Sequence, residues 1–351
     1  MSMADYAYSN TRIRVMKSLL LKNSDLETLI RTKNLNDCLM SLRQTRYAEI
    51  FSRLEKVTIH GIERLLDVDL MRTVDKIIRI SPQSCVPFLN ALSKRYEFEQ
   101  IKLILNLKMG NLSRDNLSRG EIEERLAIGE MGHLSSYRHT QEFLSRLIDL
   151  PMEDIITLLR ERYKGLDGFM PESPDLLAVL IALDRYYFSE LQNSIDSLKG
   201  ADRKVASTLI SMEIDTRNVM TILRSVTHGY DAKRFIIPGH DPRIDELGKH
   251  TPRDVTDAIT KLSKTTYGPL LESAASSYIE TNSLLQMELT LRRYLAKESK
   301  NLIRGYPFQL GFILGFLKLK ELEVENLRAI CVGVDKGLSP DEIRELLIMS
   351  S

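Results

Sequence analysis

The sequence predicts an all-α protein. Apolar residues recur three and four apart through 36–54, 175–195, 216–226 and 283–303, the spacing that lines one face of a helix. Strand-like alternation is scarce, and the prolines and glycines gather between the helical runs, at 80–87, 164–174, 237–243 and 304–308.

Taken in order, 36–54 reads as one amphipathic helix, and 175–195 as a helix rich in leucine and aromatic residues. Residues 216–226 and 283–303 read as two more. Helix starts are expected at 173–175, 251–254 and 339–342, where a serine or threonine precedes proline and carboxylates fall in the first turn. Gly311 and Gly315, four apart and lacking Cβ atoms, predict close packing of two helices inside the fold.

Two patterns recur three times in the same order. The first has an acid, apolar residues two and five later, and a tyrosine ten later. It runs from Asp37 to Tyr47, from Glu153 to Tyr163 and from Asp257 to Tyr267. The second has an acid, an amide three later and an isoleucine seven later: Glu97, Gln100 and Ile104; Asp215, Asn218 and Ile222; Glu323, Asn326 and Ile330. From tyrosine to isoleucine the distances are 57, 59 and 63 residues. Weaker echoes begin at Gly110, Gly229 and Gly337.

The reading is therefore an internal triplication, with helical units at 1–120, 121–238 and 239–351. Units of this size exceed ordinary solenoid repeats, and three of them can stack in a line or close around a pseudo-threefold axis as a bowl. An amide on an apolar stripe is costly unless its hydrogen bonds are met, so Gln100, Asn218 and Asn326 are expected to hold a recurrent partner such as a loop backbone.

Composition narrows the function. The chain has 351 residues, of which 43% are hydrophobic and 28% charged, which suits a folded protein of two or three domains. Lysine and arginine total 49 against 48 aspartate and glutamate, so no global field draws it to nucleic acid. The apolar runs are too short to span a bilayer, and the amino terminus lacks the centre of a signal peptide, so a cytoplasmic location is expected. Cys38, Cys85 and Cys331 are far apart among apolar neighbours and read as buried thiols.

Site chemistry is hard to find. No glycine-rich phosphate loop occurs, and none of the six histidines pairs with another at helical ligand spacing. Asp67 and Asp69 make a thin metal candidate, and Glu321, Glu323, Glu325 and Arg328 read as a solvated charged face. No catalytic residue, cofactor or metal is predicted. One helix is cationic, with Arg292, Arg293, Lys297, Lys300 and Arg304 as candidate docking residues for an acidic partner.

Residues 6–21, 214–224 with 236–240, and 307–330 together resemble the central-stalk C subunits of archaeal-type (A/V-type) rotary ATP synthases, a family related to the d subunits of eukaryotic vacuolar ATPases. His240 departs from the family pattern, which more often has glycine there. The resemblance covers the whole chain. It implies three helical subdomains forming a funnel, and a peripheral, non-enzymatic role at the cytoplasmic face. It also implies partners: the proteolipid rotor ring through its cytoplasmic loops, the D and F shaft subunits, and other subunits of the synthase. Neither nucleic acid nor a transmembrane span is expected, and the competing expectation is a free-standing helical-repeat scaffold for other protein partners.

Overall fold

The structure is a computed structural model that describes residues 3–52, 54, 56–108, 119–126, 134, 137–172, 174–239, 241–250 and 252–348. Among these, every regular element is a helix. Helix α1 (Met3–Ser18) is followed by α2 (Asn23–Ile30), α3 (Leu35–Leu42), α4 (Ala48–Phe51), α5 (Ile59–Ile80) and α6 (Val86–Lys108). After α7 (Arg119–Arg125) come α8 (Arg138–Asp149), α9 (Met152–Arg162), α10 (Leu176–Ile195) and α11 (Gly200–His228). The last third holds α12 (Pro242–Lys249), α13 (Val255–Leu262), α14 (Gly268–Thr281), α15 (Leu285–Arg304), α16 (Leu310–Asp335) and α17 (Pro340–Leu346). In each third two short helices precede the recurrent tyrosine and two long helices follow it, with α4 intervening in the first third and α14 in the last.

Local chemistry sets the boundaries. Asp175, Asp254 and Ser339 cap α10, α13 and α17, each accepting from the backbone N–H three residues on, at 2.7, 2.7 and 3.3 Å. Two of the expected starts therefore shift, because the aspartates following the prolines do the capping and the helices begin at Leu176 and Val255. Ser173 and Thr251 lie outside the described residues, as do His133, His240 and the echo at 110–117. At the other end of α11, Gly229 adopts φ 71° and returns its N–H to the Ser225 carbonyl, ending the longest described helix.

The helix expected over 36–54 is broken between Leu42 and Ala48. Thr45 explains the break: its hydroxyl donates to the Leu42 carbonyl at 2.7 Å and accepts from the Tyr47 N–H at 3.2 Å, replacing helix bonds with a local turn. Thr265 does the same with Leu262 and Tyr267, at 2.6 and 3.2 Å. In the middle third Glu161 stands at that place, and α9 runs on to Arg162 before Tyr163.

Packing then places the long helices at the centre. Helix α16 is buried on nearly every side, from Leu310 to Val334: its ends are apolar, and the charged residues of its middle are paired, Lys320 with Asp69 and Glu323, Lys318 with Glu321 and Arg328 with Asp67. A Cβ at Gly315 would lie 2.7 Å from the Ser299 carbonyl, so α15 and α16 approach closely only because glycine stands there. One apolar core runs through all three thirds, and a second joins Val219–Leu223 of α11 to α12, α13, α14 and the start of α15. Each fully buried leucine or isoleucine contributes about 1.5–3 kcal/mol of transfer free energy.

The starts of α6, α11 and α16 are tied together. Asp202, in the first turn of α11, accepts from the Tyr6 hydroxyl and from the Leu310 N–H that opens α16, both at 2.7 Å. Tyr6 also meets Cys85, just before α6, at 3.1 Å. A carboxylate at a helix start is favoured by the partial positive charge there.

Candidate functional site

The acid and amide of the recurrent pattern sit at one place in each of α6, α11 and α16, and all six side chains are buried. Asn326 donates to the Ile348 carbonyl at 3.1 Å and accepts from the Ile348 N–H at 3.0 Å. Asn218 does the same with Ile237, at 2.7 and 3.1 Å. Each of these two amides thus holds the backbone of one isoleucine that follows its own long helix. Gln100 is 4% exposed at the same register.

The acids receive the tyrosines of other thirds. Tyr47, from the first third, donates to Glu323 of the last at 2.6 Å. Tyr163, from the middle third, faces Glu97 of the first, but its buried hydroxyl makes no hydrogen bond; Glu97 Oε1 instead takes two bonds from Arg162 at 3.0 and 2.6 Å. Tyr267, from the last third, approaches Asp215 of the middle at 3.4 Å. The three pairings run in one cyclic sense. Burial first, and then the facing acid, pushes all three phenols well above their ordinary range, so each keeps its proton.

A buried cation marks the junction of first and last thirds. Lys320 is 0% exposed, and its ammonium meets the Tyr47 hydroxyl at 2.5 Å, Asp69 at 2.6 Å and Glu323 at 2.8 Å. Arg46 adds a bond to Asp69 at 2.8 Å. The face read as solvated is therefore corrected: Glu323 is buried in this cluster, and Arg328 pairs with Asp67. Asp67 and Asp69 hold arginine and lysine, and among the described residues no cluster of three metal-ligating side chains occurs.

Residues two before and two after each acid line a shared cavity of ≈290 Å³: Arg95 and Glu99, Glu213 and Arg217, Glu321 and Glu325. Arg95 meets Glu213 at 2.5 Å and Glu321 at 3.5 Å, while Lys318 bonds Glu321 at 2.6 Å and also pairs with Glu213. Tyr96 donates to Glu321 at 2.7 Å. Burial pushes the Glu321 carboxyl up, but Lys318 and Arg95 outweigh it and hold the group at about 2. Glu99 and Glu325 are raised, chiefly by burial.

Five cations and five carboxylates line that cavity. Lys102 and Arg217 share Asp184, so most of the charge is spent between helices. Chemically the arrangement is a brace: it couples three long helices by charge-assisted bonds.

The five docking candidates on α15 separate. Arg292 turns into the cavity and pairs with Glu288 at 2.9 Å and Glu325 at 3.6 Å. Arg293 donates to the Glu345 carbonyl at 3.1 Å, and Lys297 is exposed. Lys300 and Arg304 line a different pocket, with Lys17 and Lys22. Sequence reasoning missed the inner residues Arg95, Glu213 and Lys318. Aligning the neighbours of the recurrent acid would have found the first two; nothing in the sequence marks Lys320 as buried.

Comparison with known proteins completes the picture. Residues 9–346 match the family described as ATP synthase (C/AC39) subunit. The A-type ATP synthase C subunit of Pyrococcus horikoshii is 27% identical over 348 residues, covering 97% of this chain and 90% of that protein. The C subunit of the A-type ATP synthase of Methanocaldococcus jannaschii is 27% identical over 361 residues, covering 99% and 87%, and that of Pyrococcus abyssi is 25% identical over 353 residues, covering 97% and 90%.

Proposed function

Because the chain belongs to the ATP synthase (C/AC39) subunit family, we propose that it is the non-catalytic coupling part of the rotor. In this reading it joins the membrane proteolipid ring to the D and F shaft, so that ion flow and ATP synthesis or hydrolysis share one rotation. The observation that carries the reading is that each recurrent tyrosine faces the recurrent acid of another third, with the first third closing on the last through the Tyr47–Glu323 bond and the last on the middle through Tyr267 and Asp215. A part that carries torque has to be stiff and must resist opening at its seams.

Triplication is part of the proposal, with units at 1–120, 121–238 and 239–351 arranged as a funnel. It is supported by the recurring order of short helices, tyrosine and long helices, and by the inner cavity lined from equivalent positions of α6, α11 and α16. No helix among the described residues is long and apolar enough to cross a membrane, so attachment to the ring is proposed as peripheral, at the cytoplasmic face. Of the candidate docking residues, Lys297, Lys300 and Arg304 serve this reading as contacts for register, since charge complementarity sets orientation more than affinity, whereas Arg292 and Arg293 are engaged within the chain by Glu288, Glu325 and the Glu345 carbonyl.

Purification of an affinity-tagged chain from native membranes tests the reading. Stoichiometric recovery with ring, shaft and catalytic-head subunits is expected. Recovery without any of them refutes it.

A further inference from the structure

We propose that the pocket between α1, α2, the end of α15 and α16 binds an acidic segment of a neighbouring protein of the assembly, with its carboxylates on Lys17, Lys22, Lys300 and Arg304. The pocket measures ≈570 Å³. Its floor is apolar, built from Leu20, Leu26, Ile303, Leu319, Leu322 and Ile348, and the cations stand around it. Glu323 is the single carboxylate among its lining residues, and that group is consumed by the Tyr47 hydroxyl, the Lys320 ammonium and the Leu21 N–H.

The exposed Lys17, Lys22 and Arg304 form no ion pair with any described residue, whereas all five cations of the inner cavity do. Burial and, after it, the nearby Arg304 guanidinium lower the Lys300 pKa. An anion entering the pocket would oppose both effects. The bond from Leu21 N–H to Glu323 fixes the α1–α2 turn on α16 and so sets where Lys17 and Lys22 leave the backbone beside the pocket.

The concave shape and apolar floor select the occupant. A loop carrying carboxylates beside an apolar side chain fills both parts of the pocket, whereas headgroups of a flat bilayer reach the rim alone. The inference rests on the chain working inside a multi-protein assembly.

The test titrates the full-length chain with a fluorescein-labelled peptide of alternating glutamate and leucine, read by anisotropy. Inorganic phosphate and phosphatidylglycerol vesicles are titrated in parallel. Saturable peptide binding is expected, weakened about tenfold or more in Lys17→Glu/Arg304→Glu at unchanged helicity, and less in the neutral Lys17→Gln/Arg304→Gln. Loss of binding on raising salt from about 0.05 to 0.5 M supports the charge argument. Absence of saturable binding, equal binding by the charge-reversed chain, or binding to vesicles or phosphate without the peptide overturns it. Co-purification of the same variants separates the two readings: a chain that binds peptide but is recovered without rotary subunits refutes the rotor assignment alone.

Discussion

Tyr47→Phe removes one oxygen from the junction of first and last thirds and leaves the ring in place. That ring is 0% exposed, and the Lys320 ammonium stands 4.6 Å from its centre, a contact that phenylalanine keeps. The lost hydroxyl donates to Glu323 at 2.6 Å and accepts from Lys320 at 2.5 Å. Hydrogen bonds to charged groups contribute about 1.5–3 kcal/mol, and Lys320 retains Asp69 and Glu323, so the expected cost is about 2 kcal/mol. Tyr267→Phe removes a contact of 3.4 Å and should cost less than about 1 kcal/mol. Urea unfolding followed by circular dichroism compares the two, with equal slopes required for the comparison. A double-mutant cycle of Tyr47→Phe with Glu323→Gln should give a coupling of about 1–2 kcal/mol. If Tyr47→Phe is indistinguishable from the parent, or if Tyr267→Phe costs more, the graded seam is refuted.

Asn326→Leu should cost about 2–3 kcal/mol, since it orphans both the N–H and the carbonyl of Ile348; hydrogen exchange at the Ile348 amide should accelerate with it. Lys320→Met should destabilise by about 3 kcal/mol in urea titrations, because Asp69 and Glu323 are left facing each other, and adding Glu323→Gln should recover part of the loss. Stability should fall on acidification below about pH 4.5. Glu321 is depressed from 4.5 to about 2 in the folded chain, so its contribution is complete above the unfolded value and disappears as pH falls toward 2. Glu99 and Glu325 are raised and act in the opposite sense, gaining on protonation, so Glu321→Gln should flatten the net loss between those pH values. Gly315→Ala should cost about 1–3 kcal/mol by forcing α15 away from α16, measured as a lowered unfolding midpoint.

The helices were legible because burial imposes a period on the sequence, and the recurrent tyrosine and amide were legible because each occupies a fixed place beside a helix end or a loop. The break after Leu42 was hidden in a continuous apolar period: Thr45 competes for backbone bonds without disturbing the pattern. Glu321, Glu323 and Glu325 show a different limit. Residues two apart on a helix point to opposite sides, so these three could never share one face. Glu321 and Glu325 line the inner cavity, while Glu323 faces Tyr47. Reading that angle would have divided the run correctly, but which side meets a tyrosine 276 residues away follows from tertiary packing alone. The cationic run on α15 divides among different surroundings: Arg292 lines the inner cavity, Arg293 meets the Glu345 carbonyl, and Lys300 and Arg304, further along the helix, line the pocket beside α1.

Cross-linking of the intact membrane complex with peptide mapping tests the coupling role most directly. The account predicts links from this chain both to cytoplasmic loops of the proteolipid ring and to the shaft subunits, at separate sets of residues. Links confined to stationary peripheral subunits, or to one of the two rotor elements in a fully assembled complex, would contradict it.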